Sequence, residues 1–479
     1  MRNDSVRIVF RIISMIWHGK AIADLPIITR YLTKSDILKR AQEIIGIPLR
    51  EIDKTGRLST GKGAIGTVIE ESWYGYSPNS ESEPDFPEAG VELKVTPYIY
   101  KRHDLQAKER LVCNIINYME EYMRTFQTSS FWHKCETMLL MSYEHLYDCP
   151  KGDFHIDRAI LFSFPEEDLQ IIERDWETIM DKVRSGKAHE ISEGDTLYLA
   201  ACTKGATSAS VRRQPFSEIP AKQRAYSLKQ SYMTQILRKY IFGQEENEHI
   251  IKDWRDLQHD TFEEYLMHRL APYFGKTQSE LKKLFDVSGD AKNTNEQLFS
   301  KMLGIKGHAG KTEEFIKASI RPRVVKVNLD GSITENISFP AFDFIQLSKE
   351  TCWEESELYN YIAPIRFLFV IFREIANGEL VFDCIKFWNI PNEDLDEVGR
   401  VWKRTVDTIR RGVVLKQTSR GVSNDLPKRS ESYVAHVRPH GKDGNDRAPL
   451  PDGRMMTKQC FWLNNSYVAE QIRKLLGKN

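Results

Sequence analysis

The chain has 479 residues, more than one hydrophobic core usually accommodates, so two or three domains are expected. Hydrophobic residues at 41% and charged residues at 28% describe an ordinary soluble globular protein. The 68 basic and 68 acidic residues cancel, which excludes a globally basic nucleic-acid binder and leaves room only for a local basic patch. The seven cysteines (113, 135, 149, 202, 352, 384 and 460) are scattered and form no CxxC pair. Neither a zinc site nor a disulfide framework is supported, and a reducing cytoplasm fits.

Residues 1–30 read as an N-terminal extension outside the fold. Val6 to Trp17 is apolar but interrupted by Arg7 and Arg11. It is too short to span a bilayer and lacks a small-residue cleavage site. An amphipathic helix on a membrane surface is the alternative reading; no membrane partner is expected. The apolar spacing of Ile37 to Ile45 predicts a helix, with Ser35 as its cap and Gly46 as its stop. A second helix is expected from Ala64 to Tyr74, closed by Gly75. Gly61-Lys62-Gly63 before it lacks the spacing of a nucleotide-binding loop. Glu70 and Glu71 sit late in this helix.

A polar loop over 77–84 then delivers Asp85-Phe86-Pro87-Glu88-Ala89-Gly90-Val91-Glu92-Leu93-Lys94. On a strand, Val91, Leu93 and Val95 enter a core, and Glu92 and Lys94 share the other face. A bend through Pro87 and Gly90 can return Asp85 to that face. Two carboxylates and a lysine on a rigid edge can hold a magnesium ion with a positive group beside it, the minimal apparatus for hydrolysing a phosphodiester. An exposed strand with an ordinary Glu/Lys pair is the competing reading, and the rest of the chain must decide.

Leu111 to Ile116, Thr137 to Tyr143 and Ala159 to Phe164 read as strands. Glu166 to Ser185 reads as a helix ended by Gly186. An α/β or α+β fold follows, a sheet flanked by helices. Between 204 and 240, Lys204, Arg212, Arg213, Lys222, Arg224, Lys229, Arg238 and Lys239 meet one acid, Glu218, with Tyr226, Tyr232 and Tyr240 interleaved. This is the local basic patch, and phosphate contact is its expected use. Gln244 to Asp260 reads as a linker or inter-domain helix.

The chain then repeats itself. Pro165-Glu166-Glu167-Asp168-Leu169 matches Pro391-Asn392-Glu393-Asp394-Leu395, and Arg174, Trp176, Asp181 and Gly186 match Arg400, Trp402, Asp407 and Gly412 in unbroken register. Leu228 to Tyr232 resembles Leu463 to Tyr467, and Arg238-Lys239 matches Arg473-Lys474. A duplicated domain is expected: residues 31–245 and 262–479 share one fold, joined by 246–261, as a pseudo-dimer in one chain. Ala318 to Val327 is the expected counterpart of Ala89 to Val95, with a strand-like apolar run and no carboxylate at the ExK positions. There Arg321, Arg323 and Lys326 cannot bind magnesium, so the second copy is expected to be catalytically empty. It keeps basic residues near its end, including Arg438, His440, Lys442, Arg447, Arg454 and Lys458.

The ordered set resembles the family of the mismatch-repair nicking endonuclease MutH and its two-domain relatives, the type II restriction endonucleases that recognise GATC. The matching pieces are Gly63 to Glu70, Asp85-Phe86, Ala89 to Lys94, Glu193 to Leu199, Cys202 to Ala206, Arg224 to Tyr240, His436 to His440 and Met456 to Gln459. The resemblance runs from about residue 31 to the C-terminus. It implies two tandem MutH-like domains of the PD-(D/E)xK nuclease fold and a Mg2+-dependent double-strand cut at GATC that leaves 5′ phosphates.

By that resemblance Asp85, Glu92 and the carbonyl of Leu93 hold the metal. Lys94 positions or helps deprotonate the attacking water, and Glu70 is the auxiliary acid, with Glu71 left open beside it. Lys204 falls on the family's DNA-contacting loop. The candidate DNA contacts are Lys204, Arg212, Arg213, Arg224, Lys229, Arg438, His440 and Lys458. Ser227 stands where the nicking enzyme has a tyrosine near the adenine. The second copy is expected to bind another GATC duplex as an effector or to support a homodimer on DNA, with a DNA methyltransferase as functional companion. A strand-specific GATC nickase of mismatch repair and a non-catalytic DNA-binding regulator are the alternatives.

Overall fold

The computed structural model describes residues 31–477 apart from 60, 62, 78–82, 102, 206–209, 246, 258–259, 290–292, 334–336 and 420. The reading of residues 1–30 lies outside the described residues. The fold mixes helices and sheets, as expected, and the chain divides into two compact units. One comprises residues up to 114 together with 123–168 and 236–244; the other comprises 115–122, 169–235 and 245–479. This division by contacts differs from the 31–245 and 262–479 halves, because 169–235 packs within the second unit.

The first unit starts with α1 (Lys34–Glu43), whose N-cap is Thr33 and not Ser35. The Thr33 hydroxyl accepts from the Asp36 amide at 3.2 Å. Next comes α2 (Ala64–Val68), which widens into a π-helical turn over Ile69–Tyr74 and stops at Gly75 with φ 77°. The strands are β1 (Glu92–Lys101), β2 (Asp104–Ala107), β3 (Leu111–Ile115), β4 (Met138–Glu144) and β5 (Arg158–Phe162), with α3 (Ser130–Cys135) before β4. The main sheet has the order β2-β1-β4-β5. β1 runs parallel to β4 and antiparallel to β2, and β5 returns antiparallel to β4.

Alternation along these strands sorts the side chains. Val91, Leu93 and Val95 join Leu139, Met141 and Tyr143 on one face, packed with Ile37, Ile44, Val68, Ile69 and Phe86 in one core. Glu92 and Lys94 are left on the other face.

The second unit carries most of α4 (Glu166–Arg184), then β6 (Leu199–Thr203), the hairpin β7 (Val211–Gln214) and β8 (Ser217–Lys222), β9 (Arg224–Leu228) and most of α5 (Gln230–Ile236). β6 pairs antiparallel with β9. The stretch 244–260 forms a 3-10 turn at Trp254–Leu257 and no long helix among its described residues. Its start is strapped down: Glu314 accepts from the Ile250 and Ile251 amides at 3.0 Å, and Glu313 accepts from the Asn247 side chain at 3.0 Å.

Then come β10 (Ile320–Val327), β11 (Ile337–Ala341), β12 (Arg366–Glu374), β13 (Leu380–Trp388), α6 (Asn392–Arg411), the hairpin β14 (Lys416–Thr418) and β15 (Gly421–Ser423), β16 (Ala435–Pro439), the hairpin β17 (Arg447–Pro449) and β18 (Met455–Thr457), β19 (Gln459–Leu463) and α7 (Asn465–Leu475).

One pairing pattern occurs twice. β1 is parallel to β4, and β4 is antiparallel to β5; β10 is parallel to β12, and β12 is antiparallel to β13. A long helix follows each set, α4 or α6. An antiparallel pair with a hairpin between its strands comes next, β6–β9 or β16–β19, and each ends in a helix, α5 or α7. Glu92 pairs with Met138, and Ile320 pairs with Arg366 at the same sequence separation. In that register Ile320 and Pro322 stand where Glu92 and Lys94 stand.

Candidate active site and DNA-facing residues

The Asp85–Glu92 bend is a tight hairpin. Phe86 and Val91 exchange both backbone hydrogen bonds, at 2.9 and 3.2 Å, and Gly90 takes φ 62° to close the turn. Phe86 is buried against Tyr31, Tyr74 and Tyr76, which anchors the bend in the core. The consequence is a fixed contact between the two acids. The Asp85 amide donates to Glu92 Oε2 at 3.2 Å, and the Leu93 amide donates to Asp85 Oδ2 at 2.9 Å. Lys94 Nζ donates to Glu92 Oε1 at 2.7 Å and to the Cys113 carbonyl at 3.2 Å.

A residue that the sequence reading did not single out completes this cluster. Lys134, on α3, places Nζ 3.5 Å from Glu92 Oε1. Nothing in the local pattern around Lys134 marks it. It reaches the site only because α3 leads directly into β4, the strand beside β1.

Glu70 and Glu71 part ways in the π-helical turn. Glu71 turns to Arg57, with Nε to Oε2 at 2.6 Å. Glu70 stands in the field of the acidic pair: burial first, then Asp85 and Glu92, push its carboxyl up to about 7, against the pull of Lys134 and Lys94. The inserted residue of a π turn is a recurrent way to aim a functional side chain.

Glu92 has a side chain only 3% exposed. Burial raises it above the ordinary carboxylate value, with Lys94 opposing. Burial also pulls Lys94 down, but Glu92 and the thiols of Cys135 and Cys113 outweigh this. Lys94 is held above the ordinary lysine range and stays charged.

Three carboxylates therefore share one electrostatic environment, in which burial and then the charges of Asp85 and Glu92 keep Glu70 partly protonated near neutrality. This is the electrostatic setting that a divalent cation relieves, and oxygen donors suit Mg2+. Among the described residues no three acidic, histidine or cysteine side chains already form a complete ligand cage. The two oxygens of Glu92 are engaged by Lys94 and by the Asp85 amide. The carboxylate oxygens of Asp85 and Glu92 are the kind of donor that a hard divalent cation takes.

The basic patch separates into two kinds of residue. Lys204, Arg212 and Arg213 are exposed. Arg224 and Lys229 are not: both are 2% exposed, which corrects their assignment as DNA contacts. Arg224 donates to the carbonyls of Ala201, at 2.6 Å, and Ile191. Lys229 donates to the carbonyls of Thr196 and Pro364, at 2.5 and 3.0 Å. The interleaved tyrosines are core residues as well. Tyr226 bonds Glu121 at 3.1 Å, and Tyr232 stacks on Tyr198 at 4.8 Å.

The sequence pattern misleads here because β9 is buried along its whole length, so Arg224 goes inside with Tyr226. Beside them, Asp175 accepts the amides of Leu197, Tyr198 and Leu199 at 2.7, 2.6 and 2.9 Å and so fixes the entry to β6. Ser227 is buried, with its hydroxyl 3.4 Å from the Ala200 carbonyl.

In the second half, Arg438 and His440 are exposed. The Arg438 guanidinium lies 3.9 Å from the Trp462 ring centre, and the His440 ring lies 5.4 Å from it. Lys458 is paired with Asp446 at 2.6 Å. All seven cysteines are free. No described helix is long and apolar enough to cross a membrane.

Residues 74–175 match the family model described as "DNA mismatch repair enzyme MutH". This span holds the Asp85–Lys94 hairpin and Lys134. The type II restriction enzyme Sau3AI of Staphylococcus aureus is 38% identical over 488 aligned residues, which cover 93% of this chain and 99% of the relative. The DNA mismatch repair protein MutH of Vibrio campbellii is 28% identical over 45% of this chain and 97% of its own length. That of Shewanella baltica (strain OS155 / ATCC BAA-1091) is 29% identical over 43% of this chain and 95% of its own length. A near full-length match to a restriction enzyme, with about half of the chain matching a repair protein, places the fold and the activity together. The chain belongs to the MutH-like family of type II restriction endonucleases and is a site-specific deoxyribonuclease acting on double-stranded DNA.

Proposed function

We propose that this enzyme cleaves both strands at GATC in a Mg2+-dependent reaction that leaves 5′ phosphates. The observation that carries the reading is the hydrogen-bonded hairpin joining Asp85, Glu92 and Lys94, with Glu70 in its field. Asp85, Glu92 and the carbonyl of Leu93 would hold the ion, with Glu70 as auxiliary acid. When bound, Mg2+ supplies charge neutralisation at the scissile phosphate and acidifies the attacking water.

The chain's own groups do the rest. The hairpin presents both acids without rearranging the backbone, because the Leu93 and Asp85 amides already fix their oxygens. Lys94, released from Glu92, offers its charge to the oxyanion that develops at phosphorus. Glu70, raised to about 7, is the group that would lose its proton to solvent if a cation were held beside it.

The second half acts as a binding copy. The repeated strand pairing, with Ile320 and Pro322 at the Glu92 and Lys94 positions, supports two tandem copies, one of them empty of catalytic acids. Exposed Arg438 stacked on Trp462, with His440 beside it, suits contact with a second GATC duplex that stimulates cleavage. Such a copy also suits assembly of a homodimer on DNA. The companion is a GATC methyltransferase, and the setting is the cytoplasm.

The test is a digest of plasmids carrying one or two GATC sites, with Mg2+ or with EDTA. Asp85→Ala is expected to bind and not cut; wild-type cutting by that variant refutes the site. Equal rates on one-site and two-site plasmids at limiting enzyme refute the effector role.

A further inference from the structure

The β7–β8 hairpin carries an arrangement that the proposed chemistry does not use. Its turn residue Phe216 is 72% exposed and sits at φ 60°, in the left-handed region that bulky side chains avoid. Val211 and Ile219 on the same hairpin are 50% and 54% exposed. A bulky ring held exposed at a strained turn is a candidate contact.

The hairpin is rigidly held. Buried Gln214 accepts the Ala188 amide at 2.7 Å and donates to the Ile219 carbonyl at 2.5 Å. Gly186, itself at φ 70°, lets the Phe216 carbonyl come so close that an added Cβ would stand 2.7 Å from it. The Phe216 ring meets Tyr122 edge-on at 5.4 Å, which supports one side of the ring and leaves most of it in water. Strain held in place by braced packing is a feature of functional sites.

The charge around this ring names the partner. Arg212 and Arg213 are exposed on β7, and Lys204 is exposed where the hairpin's base meets β6; the one acid on the hairpin is Glu218. Arg212 is steadied by Gln223, Nε to Oε1 at 3.0 Å. Lys222, on β8, faces Asp396 at 3.7 Å and is set aside. A cationic ribbon tipped with an aromatic ring fits duplex DNA, where apolar wedges unstack a base step and cations take the adjacent phosphates.

We propose that the β7–β8 hairpin is a DNA wedge: Phe216 inserts at a base step of the bound duplex, and Arg212 and Arg213 hold the flanking phosphates. The proposal rests on the reading of this chain as a duplex-DNA endonuclease.

The experiment uses the full chain and short GATC duplexes with 2-aminopurine at successive positions, in Ca2+ buffer. The wild type is expected to raise the fluorescence at one step. Phe216→Ala is expected to lose that rise and to bind at least about fivefold more weakly, whereas Phe216→Trp keeps both. Removing two phosphate contacts by Arg212→Ala with Arg213→Ala is expected to lower the slope of log affinity against log salt by about 2. Three results would overturn the wedge: Phe216→Ala retaining the fluorescence rise, with or without a lowered melting temperature; an unchanged salt slope; and an oligomeric state altered by Phe216→Ala without DNA, which would assign the cluster to a second copy of the chain. Absence of any duplex binding by the wild type would instead remove the parent reading.

Discussion

Replacing Glu70 by Gln tests the electrostatic account of the acidic cluster without using cleavage as the readout. Burial, Asp85 and Glu92 lift this carboxyl from the ordinary 4.5 to about 7. A group whose folded value lies above its unfolded value holds its proton more tightly when folded. The fold is therefore favoured below pH 4.5, loses stability as pH rises from 4.5 towards 7, and changes no further above that. The full shift corresponds to roughly 3 kcal/mol. Glu70 is only partly enclosed, and solvent screening reduces this to about 1–2 kcal/mol.

Urea unfolding of the metal-free protein at pH 5 and pH 8 measures the loss. Glu70→Gln, which cannot ionise, is expected to remove about 1–2 kcal/mol of the difference between the two pH values and to be the more stable protein at pH 8. In the wild type, Mg2+ is expected to restore stability most at pH 8. If Glu70→Gln keeps the whole wild-type pH difference, Glu70 does not stand in the field of Asp85 and Glu92, and the three-carboxylate account fails.

Lys94→Met is expected to lower the single-turnover cleavage rate by about 10²–10³ while leaving the duplex Kd in Ca2+ unchanged; a weakened Kd with normal turnover would make Lys94 a binding residue. Glu92→Gln is expected to loosen both Lys94 and Lys134 and to abolish the Mg2+-induced rise in Tm; a rise equal to that of the wild type contradicts its role as ligand. Arg224→Met leaves the Ala201 and Ile191 carbonyls without their donor, so a loss of about 2–4 kcal/mol in urea unfolding is expected, with no change in the salt dependence of DNA binding; normal stability with a shallower salt slope would return Arg224 to the DNA surface. Burial holds Lys229 down at about 8, against Asp175, so the unfolded chain binds the extra proton between pH 8 and the ordinary lysine value, and stability is expected to rise with pH across that window. Lys229→Met should remove this rise, as followed by thermal melts.

Much of the site was legible because its geometry is local. Strand alternation alone sends Val91, Leu93 and Val95 into the core and keeps Glu92 and Lys94 together, and a Pro/Gly bend of fixed length returns Asp85 to them. The repeated segments were legible for a related reason: buried positions of α4 and α6, such as Trp176 and Trp402, keep a common spacing. Glu70 against Glu71 was open in the sequence, because a single helical register error swaps them. The π-helical turn separates them, pairing Glu71 with Arg57 and leaving Glu70 in the field of Asp85 and Glu92.

Tertiary structure alone decided the rest. Lys134 enters the cluster through the parallel pairing of β1 with β4, a contact between residues far apart in sequence. The basic stretch 204–240 has one composition and two fates. Lys204, Arg212 and Arg213 face water, whereas Arg224 and Lys229 are inside, satisfied by carbonyls from Ile191, Ala201, Thr196 and Pro364. A count of charges cannot separate these, since whether a cation is buried depends on which acceptors the fold brings within about 3 Å of it. The chemistry proposed for Asp85, Glu92 and Lys94 belongs to a short sequence; the environment that sets their charge, and the surface proposed to meet DNA, belong to the packing around it.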